Sequence, residues 1–503
     1  MRADRAELLL SSIDFTGAAH AIIDRMAAAL LGKLLFGALV LGASAALAAA
    51  HVGPAGGDAA LARAKVPANA MVALVQEVGA PRARLSWQPD QAVNPASLMK
   101  LVTTYAALEL LGPAWTWTTL VWLQGRVSNG VLAGDLVIKG SGDPTLVLER
   151  MWLLLRRVRQ HGVHEIRGDI VIDRSDFAVP EHDPGEFDGE PLRPYNVRPD
   201  ALLLNYRSVM LGFSPDAADG LVRVSADPPL AGVQVDPTLP LSSAPCEDWR
   251  AGLKADFSDP AQIRFGGAFP LACGEKAWAV AYIDPKSYDR RALAGLWAET
   301  GGKLDGVVRD GAAPAGPPTF EVASPALPEV VRDINKYSNN LMAQQLFLTL
   351  GRVQRGVGTP ESARLALGAW LWDRFGIAAT HAVIDNGSGL SRDTRVSARL
   401  LARVLQAAWA SPVMPELMSS LPVAGIDGTM RRSHASPGHA HLKTGSLRDV
   451  VGVAGYVLAD SGRRYVVVAI VNHPNANAAR PALDALVQWA AEDGEPAPSS
   501  MGR

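Results

Sequence analysis

The sequence predicts an α+β layer fold whose two halves are separated along the chain by a β-rich insertion. Three observations lead there. Helical periodicity is confined to a stretch near residue 100 and to the region from about 283 onward. The chain between about 118 and 282 alternates short β-like runs with turn signals. Near the C-terminus two strongly apolar runs, joined by a turn at Asp460-Ser461-Gly462, read as consecutive antiparallel strands flanked by helices. At 503 residues the chain is also too long for one ordinary core.

The elements follow in order. From Met26 the chain reads MAAALLGKLLFGALVLGASAALAAA, with Lys33 in a short start, an apolar run from Leu34 and small residues at Ala46-Leu47-Ala48. This is the anatomy of a secretory signal peptide cleaved near Ala48 or Ala50, and Leu34 to Ala50 is short for a membrane span. The 25 residues before Met26 read as an over-long start, so residues 1–50 are expected to be an extension plus signal peptide. A loose Gly/Ala-rich stretch then runs to about Ala64, followed by a strand in AMVALVQEV.

The segment NPASLMKLVTTYAALELLG, residues 94–112, is a well-specified helix. Asn94 suits the N-cap and Pro95 the first helical position; Leu98, Leu101, Tyr105, Leu108 and Leu111 recur at helical spacing. Gly112-Pro113 ends it. Residues 60–118 thus form the first part of the α+β domain, and 119–282 the β-rich insertion. Within the insertion, GVLAGDLVIKGSGDP and EIRGDIVIDRSDF share a Gly-Asp-apolar-apolar-Ile core and read as similar hairpin edges, with a short helix, WLLLRRVRQHG, between them. PLRPYNVRPDALLLNYRS reads as loop, then strand. The only cysteines, Cys246 and Cys273, lie 27 apart; in an exported chain an even count favours one disulfide.

Helices return in the second part of the domain, 283–490: SYDRRALAGLWAETGG, then PEVVRDINKYSNNLMAQQLFLTLG as helix, break and helix, then PESARLALGAWLWDRFG and SARLLARVLQAAWAS. AHLKTGSLRD opens the strand pair as an edge strand, RPALDALVQWAAE is a last helix, and 491–503 is expected to be a disordered tail.

Composition narrows the function classes. The net charge is −2 with no long run of one sign, which argues against nucleic acid or acidic surfaces as partners. The histidines form no HExxH, and the spacing of His161, His164 and Glu165 in HGVHE suits a solvated turn better than a metal site. Neither metal nor cofactor is expected.

Three short motifs carry the candidate chemistry. Ser97 and Lys100 lie one turn apart at a helix start, where a partly buried lysine of lowered pKa can take the proton of an attacking hydroxyl. Ser338-Asn339-Asn340 sits where one helix breaks and the next begins, offering a hydroxyl for proton relay and an amide to hold a carbonyl; a plain helix cap is the simpler reading of it. Lys443-Thr444-Gly445 lies on the edge strand, where lysine and threonine can face a carboxylate and glycine lets a substrate backbone approach. Only ten of the 48 basic residues are lysines, and two occupy these motifs.

Together, in the order S-x-x-K, S-x-N, K-T-G and each in its required context, the motifs resemble the signature of the serine penicillin-recognising enzymes. The separation of Ser97 from Ser338, about 240 residues, is similar to that in one branch: the D-alanyl-D-alanine carboxypeptidase/endopeptidases of peptidase family S13, low-molecular-mass class C penicillin-binding proteins of the penicillin-binding protein 4 (DacB) type. GSGDPTL, PYNVRPDALLLNY, DNGSGLSR, LPVAGIDGTM and HLKTGSL also resemble that branch.

The resemblance implies a transpeptidase-like domain of the serine β-lactamase/DD-peptidase type, an antiparallel sheet flanked by helices with a helical subdomain. It implies peptidoglycan peptides and β-lactams as ligands, and a periplasmic location with at most peripheral membrane contact. Ser97 would be the acylated nucleophile, Lys100 its base, Ser338 the proton relay to the leaving amine and Asn340 a substrate anchor. Lys443 and Thr444 would bind the terminal carboxylate beside Gly445, and the N–H groups of Ser97 and Ser446 would form the oxyanion hole. Arg392 would contact the peptide side chain, with Tyr195 and Glu190 or Asp188 from the insertion lining the same pocket. Arg448 stands where a known relative has glutamine, a change bearing on side-chain preference. The rival readings are a β-lactamase or esterase on the same scaffold, for which Glu416-Leu417-Met418 has the wrong neighbours, and a non-catalytic cell-wall-binding protein.

Overall fold

A computed structural model describes residues 55–493; the signal-peptide segment and the end of the tail lie outside the described residues. The first part of the chain supplies α1 (Ala55–Arg63), β1 (Met71–Glu77), β2 (Ala83–Trp87) and α2 (Met99–Leu111). Next come β3 (Thr118–Ser128), β4 (Val131–Lys139), α3 (Leu148–Gln160), β5 (Ile170–Asp173), β6 (Ser208–Asp216), β7 (Leu221–Asp227), β8 (Lys276–Ala281), α4 (Pro285–Glu299), β9 (Val308–Asp310) and β10 (Phe320–Ala323). The remainder holds α5 (Leu327–Lys336), α6 (Asn340–Arg355), α7 (Pro360–Phe375), α8 (Ala398–Trp409), α9 (Met414–Ser420), β11 (Ala440–Leu447), β12 (Val450–Leu458), β13 (Arg464–Asn472) and α10 (Arg480–Ala491).

The main sheet is antiparallel, in the order β2-β1-β13-β12-β11, so both ends of the described chain meet in it. β12 and β13 are apolar almost throughout because both faces of the sheet are covered. Tyr456, Val466, Val468 and Ile470 pack toward α2 and α8, while Val457, Val467, Ala469 and Val471 pack toward α1 and α10. α1 forms inside the stretch expected to be loose: AGGDAALAR has poor intrinsic helicity, but Ala60 and Leu61 are buried in the same core as Leu483, Leu486 and Val487 of α10. Fully burying one leucine is worth about 2 kcal/mol, which offsets about 1 kcal/mol for each of its two glycines, and the burial of Ala60 adds to it.

The Gly-Asp-apolar-apolar-Ile segments are not both hairpin edges. β3 and β4 do form a hairpin, but β5 runs parallel to β4 after the α3 crossover, in the register Leu136↔Ile170 and Ile138↔Ile172. β9 adds parallel to β5, with Val308 opposite Ile170. The aspartates stitch this edge: Asp135 Oδ1 accepts from Asp169 N at 2.8 Å, and Asp169 Oδ1 from Val307 N at 2.9 Å. The repeated motif thus marks neighbouring parallel strands. The strand expected within ALLLNYRS begins only at Ser208, since Ala201 to Leu204 are buried in irregular backbone. β7, β6 and β8 lie in a further five-stranded sheet, and near it Cys246 and Cys273 are bonded to each other.

β10 pairs with β3, and Tyr288, Leu296 and Trp297 of α4 share a core with Val121, Leu136 and Ile170. We therefore propose that the interposed segment ends near Ala323, not at 282. In HGVHE the His161 ring stacks on Phe320 at 5.1 Å, while His164 is exposed.

Candidate active site

Asn94 does not cap a helix that contains Ser97. Its Oδ1 accepts from Ala96 N at 2.9 Å and its Nδ2 donates to the Ser391 carbonyl at 2.8 Å. Ala96 has φ +47°, in the left-handed region, and Ala96–Leu98 form a 3₁₀ turn before α2 begins at Met99. A left-handed alanine costs about 1–2 kcal/mol, so the surroundings must hold it. Two glycines let them do so. A Cβ on Gly389, where φ is +78°, would lie 1.9 Å from the Ala96 carbonyl oxygen, and one on Gly445 would lie 2.6 Å from that of Pro95. The space left open at Gly445 is thus occupied by the chain's own turn.

Lys100 is completely buried in α2. Its Nζ donates to Asn340 Oδ1 at 2.5 Å and to the Ser388 carbonyl at 2.6 Å, and lies 3.0 Å from Ser97 Oγ. Burial first, and then the charge of Lys443, hold its pKa well below the ordinary lysine value. A neutral amine has two N–H bonds, and Asn340 and Ser388 take both. Its lone pair is then left for the Ser97 hydroxyl, the arrangement a general base needs.

In the second motif, Asn339 rather than Ser338 or Asn340 performs the capping: its side chain accepts from Met342 N at 3.0 Å at the start of α6. Ser338 turns the chain between α5 and α6 with φ +57°. Its Oγ accepts from Lys443 Nζ at 2.8 Å. Lys443 reaches it from edge strand β11, also donates to the Thr444 carbonyl at 2.8 Å, and burial lowers its pKa to about 7. Lys336 Nζ lies 2.5 Å from Asp427 Oδ2, tying the end of α5 to the loop that carries Thr429. The Thr429 and Thr444 hydroxyls are 2.7 Å apart, and Ser446 Oγ accepts from Arg480 Nη2 at 2.8 Å.

The remaining expected residues divide. The Arg392 guanidinium lies 4.7 Å from the centre of the Phe187 ring, with Nη1 3.3 Å from Asp449 Oδ1. Arg392, Phe187 and Tyr195 line a cleft of about 520 Å³ together with Gln344, Asn386 and Ser391. Tyr195 donates its hydroxyl to Asp188 Oδ2 at 2.8 Å, and Asn196 Nδ2 donates to Asp188 Oδ1 at 2.8 Å, so Asp188 positions this loop. Glu190 pairs with Arg193 at 3.2 Å, and the Arg448 side chain is exposed. Sequence reasoning did not assign roles to Ser388, Thr429, Phe187 or Asp449. For the first two the signal was present, because DNGSGLSR and LPVAGIDGTM stand out in the chain. Ser388 acts through its carbonyl, which no residue-type pattern announces.

Residues 58–493 match the D-Ala-D-Ala carboxypeptidase 3 (S13) family. The chain is 29% identical over 435 residues to the D-alanyl-D-alanine carboxypeptidase of Actinomadura sp. (strain R39), covering 79% of this chain and 77% of that protein. It is 25% identical over 385 residues to D-alanyl-D-alanine carboxypeptidase DacB of Haemophilus influenzae, covering 75% and 80%. Its fold is similar to the crystal structure of penicillin binding protein 4 (dacB) from Haemophilus influenzae, with a TM-score of 0.68, 21% identity, and coverage of 83% of this chain and 94% of that one. The family match spans both sides of the β-rich segment.

Proposed function

The chain belongs to the D-Ala-D-Ala carboxypeptidase 3 (S13) family, and from that membership we propose that it hydrolyses D-Ala-D-Ala termini and D-Ala cross-links of peptidoglycan through an acyl-enzyme on Ser97. The observation that carries this reading is the state of Lys100: buried, its protons taken by Asn340 and Ser388, and 3.0 Å from the Ser97 hydroxyl.

Ser97 Oγ attacks the carbonyl of the penultimate D-alanine while Lys100 accepts its proton. Charge growing on the carbonyl oxygen is met by the N–H groups of Ser97 and Ser446. The C–N bond then breaks; Ser338, hydrogen-bonded to Lys443, passes its hydroxyl proton to the departing amine and takes in exchange the proton Lys100 removed from Ser97, so Lys100 is neutral again as D-alanine or the cross-linked stem leaves. Water, activated by Lys100, hydrolyses the ester and restores Ser97. A β-lactam acylates the same serine, but its ring nitrogen stays tethered, so the ester persists. Thr444 holds the carboxylate next to the scissile amide, and Arg392 and Tyr195 face the donor side chain. The signal-peptide anatomy supports a periplasmic site of action; no helix among the described residues is long and apolar enough to cross a membrane.

The test is labelling by a fluorescent penicillin with parallel assays on pentapeptide and cross-linked muropeptides. Wild-type protein should be labelled, and Ser97→Ala should fold but remain dark. Labelling of the Ser97→Ala protein at wild-type level would remove Ser97 as the nucleophile. Rapid nitrocefin turnover would favour a β-lactamase instead.

A further inference from the structure

Recognition of a carboxylate beside the scissile bond calls for a group that stays positive at neutral pH. Lys443 serves this poorly, since it is fully buried and donates to Ser338 and the Thr444 carbonyl. The hydroxyls on the exposed side of β11 are better placed. Thr444 and Ser446 are two residues apart, so they lie on one face of the strand, about 7 Å apart along it.

On that face stands Arg480, the first residue of α10. Its Nη2 donates to Ser446 Oγ at 2.8 Å and to Asn477 Oδ1 at 3.1 Å. Asn477 in turn donates to the Arg448 carbonyl at 3.3 Å, and His473 N to the Asp449 carbonyl at 2.9 Å. The segment leading into α10 is thereby sewn to the β11–β12 turn, which fixes where the guanidinium stands. Both its hydrogen-bond acceptors are neutral. Among the described residues no carboxylate lies within ion-pair distance of it, although Asp484 is one helical turn away. A cation at a helix N-terminus is electrostatically disfavoured, so local helix energetics do not account for it. Its Nε–H and Nη1 hydrogens remain available to donate to a carboxylate.

We infer that Arg480 binds the carboxylate adjacent to the scissile amide, using Ser446 Oγ as its bracket and completing with Thr444 and Thr429 a site that the three motifs leave without a permanent charge. This rests on the proposed peptidase reading of Ser97. It makes Arg480 a substrate-specificity residue: free-acid D-Ala-D-Ala peptides would be preferred over otherwise identical C-terminal amides.

The experiment compares kcat/KM for a peptide ending in D-Ala-D-Ala as free acid and as amide, in wild-type protein, Arg480→Gln and Arg480→Lys. The Gln variant should lose roughly ten- to a hundredfold on the acid with little change on the amide, since a hydrogen bond to a charged group is being removed. Arg480→Lys should recover part of the loss. Amide turnover by the Gln variant also reports that it is folded. An acid-to-amide ratio unchanged in Arg480→Gln overturns the role of Arg480 while leaving the peptidase reading intact. No cleavage of either peptide by the wild-type protein overturns that reading and the inference with it.

Discussion

Lys100 and Lys443, from a helix and an edge strand far apart in the chain, meet in one buried site, where burial first and then the positive charge of Lys443 depress the pKa of Lys100. Both are fully buried at one site, so charging one opposes charging the other. Burial alone lowers Lys443 to about 7, and burial together with the Lys443 charge holds Lys100 well below the ordinary lysine value.

A pH profile follows from that coupling. Acylation of Ser97 by a fluorescent penicillin should fall on the acid side as Lys100 takes up a proton. Lys443→Met removes the neighbouring charge, so Lys100 should protonate more easily and the acid limb should move to higher pH. Stopped-flow acylation rates across the neutral range read the limb directly; an unmoved limb would rule out the coupling.

Lys443 also links stability to pH. Its pKa of about 7 in the fold lies below the ordinary value of 10.5, so between those values the unfolded chain binds more protons than the folded one, and wild-type stability rises with pH across that window. Below it, the charge on the buried lysine costs about 4–5 kcal/mol. Lys443→Met should therefore unfold at higher denaturant concentration than wild type near about pH 6, with the advantage shrinking toward zero near about pH 10. Urea titrations at the two pH values check the sign.

Asn340→Asp places a carboxylate where the Asn340 amide oxygen meets Lys100 at 2.5 Å. The new charge should raise the lysine pKa and hold it protonated at neutral pH. Acylation should drop by roughly 10²–10⁴, the range a general base supplies, while the fold persists. Raising the pH should recover part of the rate, a response that simple loss of substrate contact would not produce.

Gly389→Ala tests the support under Ser97. The added Cβ meets the Ala96 carbonyl oxygen at 1.9 Å, and the backbone φ of +78° disfavours any side chain. A loss of at least about 2 kcal/mol is expected, because both clashing groups are backbone-bound. Acylation should fall as well, since the displaced turn carries Ser97. Thermal unfolding and penicillin labelling on the same sample measure both effects.

Much of the scaffold can be read from residue patterns alone. β12 and β13 are legible because an interior strand pair covered on both faces must be apolar, and α5, α6, α7, α8 and α10 because each buries a helical stripe. The parallel pairing of β4 with β5 is not legible, since a Gly-Asp-apolar run has the same local pattern in a hairpin or beside a crossover. α1 is missed for a related reason: its stability comes from α10, more than 400 residues on, not from its own alanines and glycines.

At the candidate site the sequence by itself determined which residue types recur in which order: a serine and lysine one turn apart, a Ser-x-Asn between helices, and Lys-Thr-Gly on an edge strand. Those are local matters of spacing and secondary structure. Tertiary structure alone decided what they are chemically. Lys100 has its lowered pKa first because burial penalises its charge and then because Lys443 stands near it, and its amine is held by Asn340 and Ser388; all three residues arrive from 240 residues away or more. The same holds for the left-handed turn at Ala96, which only Gly389 and Gly445 leave room for, and for Arg480 against Ser446. Proton affinity, strain and a charge without a counter-charge depend on distances between remote segments, and a linear pattern does not carry them.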